Sequence, residues 1–164
     1  MAGKLRQQYR LFGRHKGHQL KPRQARLVEQ LLPELRLDCE TAGNTPPEQL
    51  FANNVKTVWL EIGFGGGEHL AWQAERNPDT GIIGCEPFIN GIAKLLSEVE
   101  CRKLSNVRIL DGDVRPLLDR LPDHSVVRFF LLYPDPWPKA RHHTRRMINR
   151  ETLAQLHRVL TCDG

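Results

Sequence analysis

No apolar run in this chain approaches the ~20 residues that a membrane-spanning helix needs. No apolar segment follows the first charges, so the beginning does not read as a secretory signal. The N-terminal stretch is rich in arginine and poor in acid, as a transit peptide is, but it has no serine or threonine before Thr41, which argues against that reading. The cysteines Cys39, Cys85, Cys101 and Cys162 form no CxxC pair, so they read as reduced thiols of a cytoplasmic protein rather than a disulfide frame or a zinc site. His15 and His18 lack a neighbouring cysteine or acid, and the adjacent His142 and His143 cannot share a helix face, so no metal is expected.

Acids are missing from two places in particular. Residues 1–28 hold eight Lys or Arg and no Asp or Glu; residues 139–150 hold five and again none. The whole chain is only +5, so the remainder is net acidic. Concentrated cations on an acidic body point to a polyanion partner, where uniform basicity would point only to solubility.

What is present has an alternating order. Residues 1–26 read as a basic arm interleaved with Tyr9 and Phe12, followed by a helix from Pro22 to Leu35 and a loop, "DCETAGNTPPEQLF". Strands are predicted at 57–62, 81–86, 106–110 and 125–133, with helices at 67–76, 88–103, 114–121 and 149–160. Asn149 is placed to cap the last helix. The fourth strand, "SVVRFFLLY", is apolar enough to be buried on both faces. This order predicts an α/β fold: a Rossmann-like parallel sheet with helices on both faces. We divide the chain into an arm, helix and loop (1–54) and a Rossmann-like domain (55–164). Ligands of such sheets bind beyond the C-terminal strand ends. Each of the four ends carries an acid: Glu61, Glu86, the pair Asp111 and Asp113, and Asp135.

After the first strand comes "EIGFGGG". A dinucleotide fingerprint, G-x-G-x-x-G, fails in both registers, because Glu68 and Leu70 stand where the third glycine belongs. A phosphate loop of the G-x-x-x-x-G-K-[ST] type is missing too. The spacing that fits is E-x-G-x-G-x-G, with Glu61, Gly63, Gly65 and Gly67, which resembles the first motif of S-adenosylmethionine methyltransferases. That cofactor carries an ammonium and a sulfonium, so acids at the strand ends suit it. Glu86 is placed to accept its ribose hydroxyls, and Asp113 to meet the adenine end. Taken singly, each acid also fits an ordinary cap or turn, Asp113 most of all. Gly91 sits inside a helix, where it admits either the cofactor or another helix.

The fourth strand runs into "YPDPWPKARHHTRR". The prolines fix φ on either side of Asp135 and stiffen the corner that holds it. Trp137 beside it is suited either to stacking on a base or to capping the core. The role of that acid depends on the nucleophile: an amine or amide needs a base, whereas guanine N7 offers a lone pair without a proton. Beside a nucleophile of the second kind Asp135 is expected to orient the base and stabilise its positive charge.

Three segments, "EIGFGGGEHL", "GCEPFINGIAKLL" and "YPDPWPKARHHTRR", resemble the bacterial tRNA (guanine-N7-)-methyltransferase family, as does the basic arm. The resemblance implies methylation of guanine N7 in the tRNA variable loop. It implies cofactor contacts at Glu61, Glu86, Asp113 and Asp135, with Asp135 also catalytic. It implies substrate contact at Lys139 and RNA contact along Arg141, His142, His143, Thr144, Arg145 and Arg146. It also implies further strands and site residues after "LTCDG", which makes the sheet incomplete here and the fourth strand an exposed edge. Two other outcomes stay open: a tRNA-binding fragment without turnover, and a methyltransferase for a protein or small molecule.

Overall fold

The computed structural model describes residues 17–164. Most of the basic arm, with Tyr9, Phe12, His15 and the cations Lys4 to Lys16, lies outside the described residues. In chain order the elements are α1 (Pro22–Gln30), α2 (Leu32–Leu35), α3 (Cys39–Asn44), a 3-10 turn (Pro47–Leu50), β1 (Thr57–Ile62), α4 (Glu68–Arg76), β2 (Thr80–Cys85), α5 (Ile89–Arg102), β3 (Val107–Leu110), α6 (Arg115–Leu118), β4 (Arg128–Leu131), a second 3-10 segment (Ala140–Arg145) and α7 (Arg150–Val159).

Two local expectations change. The helix expected over 22–35 breaks at Leu31, because Pro33 has no N–H to continue the ladder. The segment read as a loop contains α3, which starts where Asp38 accepts hydrogen bonds from the Thr41 N–H at 2.8 Å and the Thr41 hydroxyl at 3.0 Å. Its turn-forming composition suits a cap as well as a loop. At α7 the expected cap is present: the Thr152 N–H donates to Asn149 Oδ1 at 2.9 Å.

The four strands are parallel in the order β3-β2-β1-β4. Because side chains alternate across a pleat, Ile82 faces one layer and Ile83 the other. On one face Val58, Leu60, Ile62 and Ile83 pack with Leu117 and Leu118 of α6 and Leu156 and Val159 of α7. On the other, Ile82, Val107 and Ile109 pack with Leu70 of α4, Ile92, Leu95 and Leu96 of α5, and Leu27, Leu32 and Leu35 of the first two helices. The basic stretch before β1 thus helps to close the second layer. Arg23 and Arg26 both pair with Glu100 on α5, at 2.5 and 3.7 Å.

β4 overturns the expectation of burial on both faces. None of its four residues is buried: Arg128 is exposed, Phe129, Phe130 and Leu131 are partly covered, and Leu132 just beyond is exposed. A mostly apolar strand is buried when it has neighbours on both sides. Among the described residues β4 has β1 on one side and, on the other, one isolated parallel bridge between Val126, just before the strand, and Leu160. That bridge is where the chain leaves α7, with the Val126 N–H donating to Val159 O and the Thr161 N–H to Val126 O, each at 2.9 Å.

The corner between α4 and the start of β2 is held by one side chain. Asn106 is 3% exposed, and its Nδ2 donates to the carbonyls of Ala74, Asn77 and Thr80 at 3.0, 3.1 and 2.8 Å. Truncating it leaves buried acceptors unsatisfied. Asn106→Ala is expected to lower stability by about 2 kcal/mol, read as a lower denaturation midpoint in urea with an unchanged slope.

Candidate active site at the strand ends

From β1 the chain proceeds outward through β2 to β3, then returns to place β4 on the other side of β1. The order therefore reverses between β1 and β4, and the crevice of such a sheet opens at that point. A cavity of about 300 Å³ lies there, reached by Gly63, Glu86, Asp113, Asp135 and Trp137. Its size is at the lower end of small-molecule sites.

The glycine spacing has a backbone cause. Gly63, Gly65 and Gly67 have φ of 70°, 59° and 79°, a left-handed conformation that side chains resist. The loop they shape is pressed onto α5. A Cβ placed on Gly91 would lie 2.1 Å from the Gly65 carbonyl oxygen. The glycine in α5 thus admits the backbone of the glycine loop rather than another helix.

Glu86 ties this arrangement together. Its Oε2 accepts from the Gly65 N–H at 2.8 Å and its Oε1 from the Phe88 N–H at 2.9 Å. Burial pushes its carboxyl above the ordinary 4.5; the two backbone N–H groups oppose this, and the charge of Asp135 adds to it. Each oxygen retains a lone pair. Asp113, mostly buried, accepts from the Arg115 N–H at 2.9 Å and from its guanidinium, so it forms the local turn and lines the cavity at once.

Glu61 is placed apart from these acids. It is 2% exposed, and its Oε2 accepts from His69 Nδ1 at 2.8 Å. Burial pushes its carboxyl up and the His69 contact pulls it down. His69 in turn meets the edge of Phe130 on β4, with ring centroids 4.8 Å apart. Sequence reasoning missed His69; the available signal was polar residues at 69, 73 and 77, one helix face of α4.

The corner after β4 is strained. Tyr133 and Trp137 have φ of 52° and 39°, which bulky side chains rarely adopt. Prolines alone do not hold it. Arg146 Nε donates to Pro136 O at 2.8 Å, and its second nitrogen to Trp137 O at 3.2 Å. Arg145 lies over the Trp137 ring at 5.1 Å, and His142 meets the ring edge-on at 5.6 Å. Of the cationic block, Arg145 and Arg146 reach the cavity. Arg141 and His143 are exposed on the 3-10 segment beside it and Lys139 just before that segment, and Thr144 lines a second hollow between α6 and α7.

Residues 55–164 match the family described as "Putative methyltransferase". The chain belongs to this methyltransferase family. Its relatives include proteins named tRNA (guanine-N(7)-)-methyltransferase from Nitrobacter hamburgensis, 50% identical across 93% of the chain and 60% of that protein, and from Paramagnetospirillum magneticum, 54% identical across 94% and 66%. The chain thus spans about three-fifths to two-thirds of the length of these curated relatives. A solved structure, "Structure of an antibiotic related Methyltransferase", has the same fold with a TM-score of 0.50 at 17% identity, covering 76% of this chain and 60% of that one.

The loop-on-helix contact is a testable feature of this chain. Alanine favours a helix over glycine by ~1 kcal/mol, yet its Cβ at position 91 strikes backbone. Gly91→Ala is expected to lose about 1–3 kcal/mol through overpacking, measured by thermal or urea unfolding.

Proposed function

We propose that this chain carries the cofactor site of an S-adenosylmethionine-dependent tRNA guanine-N7 methyltransferase. The observation that carries the proposal is the convergence of Gly63, Glu86, Asp113 and Asp135 on one cavity at the reversal of strand order. The relatives so named support the choice of substrate. The donor set fits the cofactor: carboxylates suit its two cationic groups, and the spare lone pairs of Glu86 suit ribose hydroxyls. When bound, the cofactor supplies an electrophilic methyl group.

The chain's own residues then have the following tasks. Glu86 and Asp113 hold the cofactor, and Glu61 contributes negative charge from the end of β1. Asp135, clamped in its strained corner, accepts from the guanine N1–H and N2–H edge. It also stabilises the positive charge that the purine acquires at N7. Holding that carboxylate in place before substrate arrives lowers the ordering cost of reaction. Lys139 and Arg141 to Arg146 bind phosphates and position the RNA, while the pocket selects the base. The target base reaches the cavity exposed or flipped. The setting we infer is the cytoplasm. Among the described residues no helix is long and apolar enough to cross a membrane.

One observation favours a second reading, tRNA binding without turnover. Tyr133 is 98% exposed, and among the described residues the outer side of β4 is paired only at the Val126–Leu160 bridge just before it. Methyl transfer from labelled cofactor into tRNA separates the two. Incorporation at guanine N7 is expected, with Asp135→Ala abolishing it while tRNA affinity stays within about twofold. Retained binding without incorporation by the unsubstituted chain would establish the second reading. tRNA affinity should fall steeply with salt, as phosphate contacts require; a flat response would point to a protein or small-molecule substrate. Cofactor affinity should also weaken on acidification earlier than an ordinary carboxylate allows. The raised Glu86 group takes up its proton above 4.5 and then loses an acceptor, which a calorimetric titration between neutral pH and 4.5 would detect.

A further inference from the structure

A chain of hydrogen bonds runs along α4 into the first strand end. At its far end Asn77 Nδ2 donates to the backbone carbonyl of Gln73 at 2.8 Å. A carbonyl oxygen can only accept, so the amide of Asn77 has one possible orientation here. The same Nδ2 reaches Gln73 Oε1 at 3.3 Å, which orients the Gln73 amide in turn. Gln73 Nε2 therefore faces His69 Nε2 as a donor, at 3.2 Å. An imidazole nitrogen that accepts carries no proton, so in the neutral ring the proton is on Nδ1. Nδ1 is the atom 2.8 Å from Glu61 Oε2. Every link thus follows from one unambiguous acceptor, and the last is an N–H donated to a carboxylate. The reverse arrangement would turn the Gln73 oxygen to His69 and the Asn77 oxygen to a carbonyl, setting acceptor against acceptor.

The positions 69, 73 and 77 recur every fourth residue, which stacks them on one helix face. Asn77 is itself held by Asn106, whose Nδ2 donates to its carbonyl at 3.1 Å. Phe130 walls the imidazole from the β4 side. Glu61 Oε1 makes no hydrogen bond among the described residues, and no buried side-chain polar atom there lacks a partner. Oε1 therefore reaches the surface of an otherwise enclosed carboxylate, while Oε2 is occupied by His69.

We propose that His69 is a positioning residue: held in its Nδ1–H tautomer by Gln73 and Asn77, it fixes the Glu61 carboxylate so that Oε1, the oxygen it leaves open, is turned to the positively charged amino-acid end of the cofactor. This rests on the cofactor reading above. His69 itself touches no reacting atom. Its effect is on cofactor affinity, and it falls on ligands that carry the ammonium.

The test uses the whole chain, with nitrogen-15 spectra of its histidines at pH 8 and calorimetric titration with S-adenosylmethionine and with 5′-methylthioadenosine, which lacks the amino-acid end. His69 is expected to show a protonated Nδ1 and a bare Nε2, and Gln73→Leu to release that preference. His69→Phe is expected to weaken S-adenosylmethionine binding about tenfold, the scale of one hydrogen bond to a charged group, while methylthioadenosine binding stays within about twofold. His69→Asn, which offers an amide donor near Nδ1, is expected to recover most of the loss. A protonated Nε2 in the unsubstituted chain overturns the proposal, as does unchanged S-adenosylmethionine binding in His69→Phe or an equal loss for both ligands. If the unsubstituted chain binds neither ligand, the cofactor reading fails and this role fails with it, a result distinct from binding that is indifferent to His69.

Discussion

Glu86 is the constraint on which the rest of the site depends. Its carboxylate, nearly sealed from solvent, accepts one backbone N–H from the glycine loop and one from the start of α5. Charge-assisted bonds of this kind are roughly twice as strong as neutral ones, and here they join two segments from different strand–helix units. The loop can lie that close because three of its residues adopt left-handed backbone and because α5 offers a glycine beneath the Gly65 carbonyl. Removing any of these would leave a buried carboxylate without partners or backbone against backbone. Glu86 is thus structural and, on the reading proposed, also part of the cofactor site. Burial that raises its proton affinity would be offset by a bound cation.

Two sides of one sheet divide the work. The pleat sends Glu61 toward α4, where His69 receives it, and sends Ile62 to the other layer, where it lines the cavity. Acids that look equivalent along the sequence therefore have different surroundings. Glu86, Asp113 and Asp135 share a cavity, whereas Glu61 works through a helix. The same geometry accounts for the cations. Arg146 bonds the carbonyls of the Asp135 corner and Arg145 covers the Trp137 ring, so part of a block that resembles an RNA contact also stabilises backbone that Tyr133 and Trp137 hold in an unfavourable conformation.

The strand and helix order, the parallel sheet and the cap at Asn149 were legible along the chain, because they depend on periodicity and on single-residue backbone preferences. The α3 helix was not, since Asp38 and Thr41 suit a turn or a cap equally. β4 was misread as doubly buried because apolarity reports a strand's capacity for burial, and its neighbours decide whether burial occurs.

By itself the sequence determined that acids would stand at the strand ends, that E-x-G-x-G-x-G would turn the chain with left-handed backbone, and that prolines would stiffen the Asp135 corner. These follow from φ preferences and from the twofold period of a strand, which act over a few residues. The tertiary structure alone decided which acids meet, that Gly91 lies beneath Gly65, that His69 is the partner of Glu61, and that Arg146 secures the corner. Those outcomes depend on how helices seat on the sheet, and a contact between residues 65 and 91 or between 61 and 69 exists only once that seating places their atoms within hydrogen-bond or van der Waals reach.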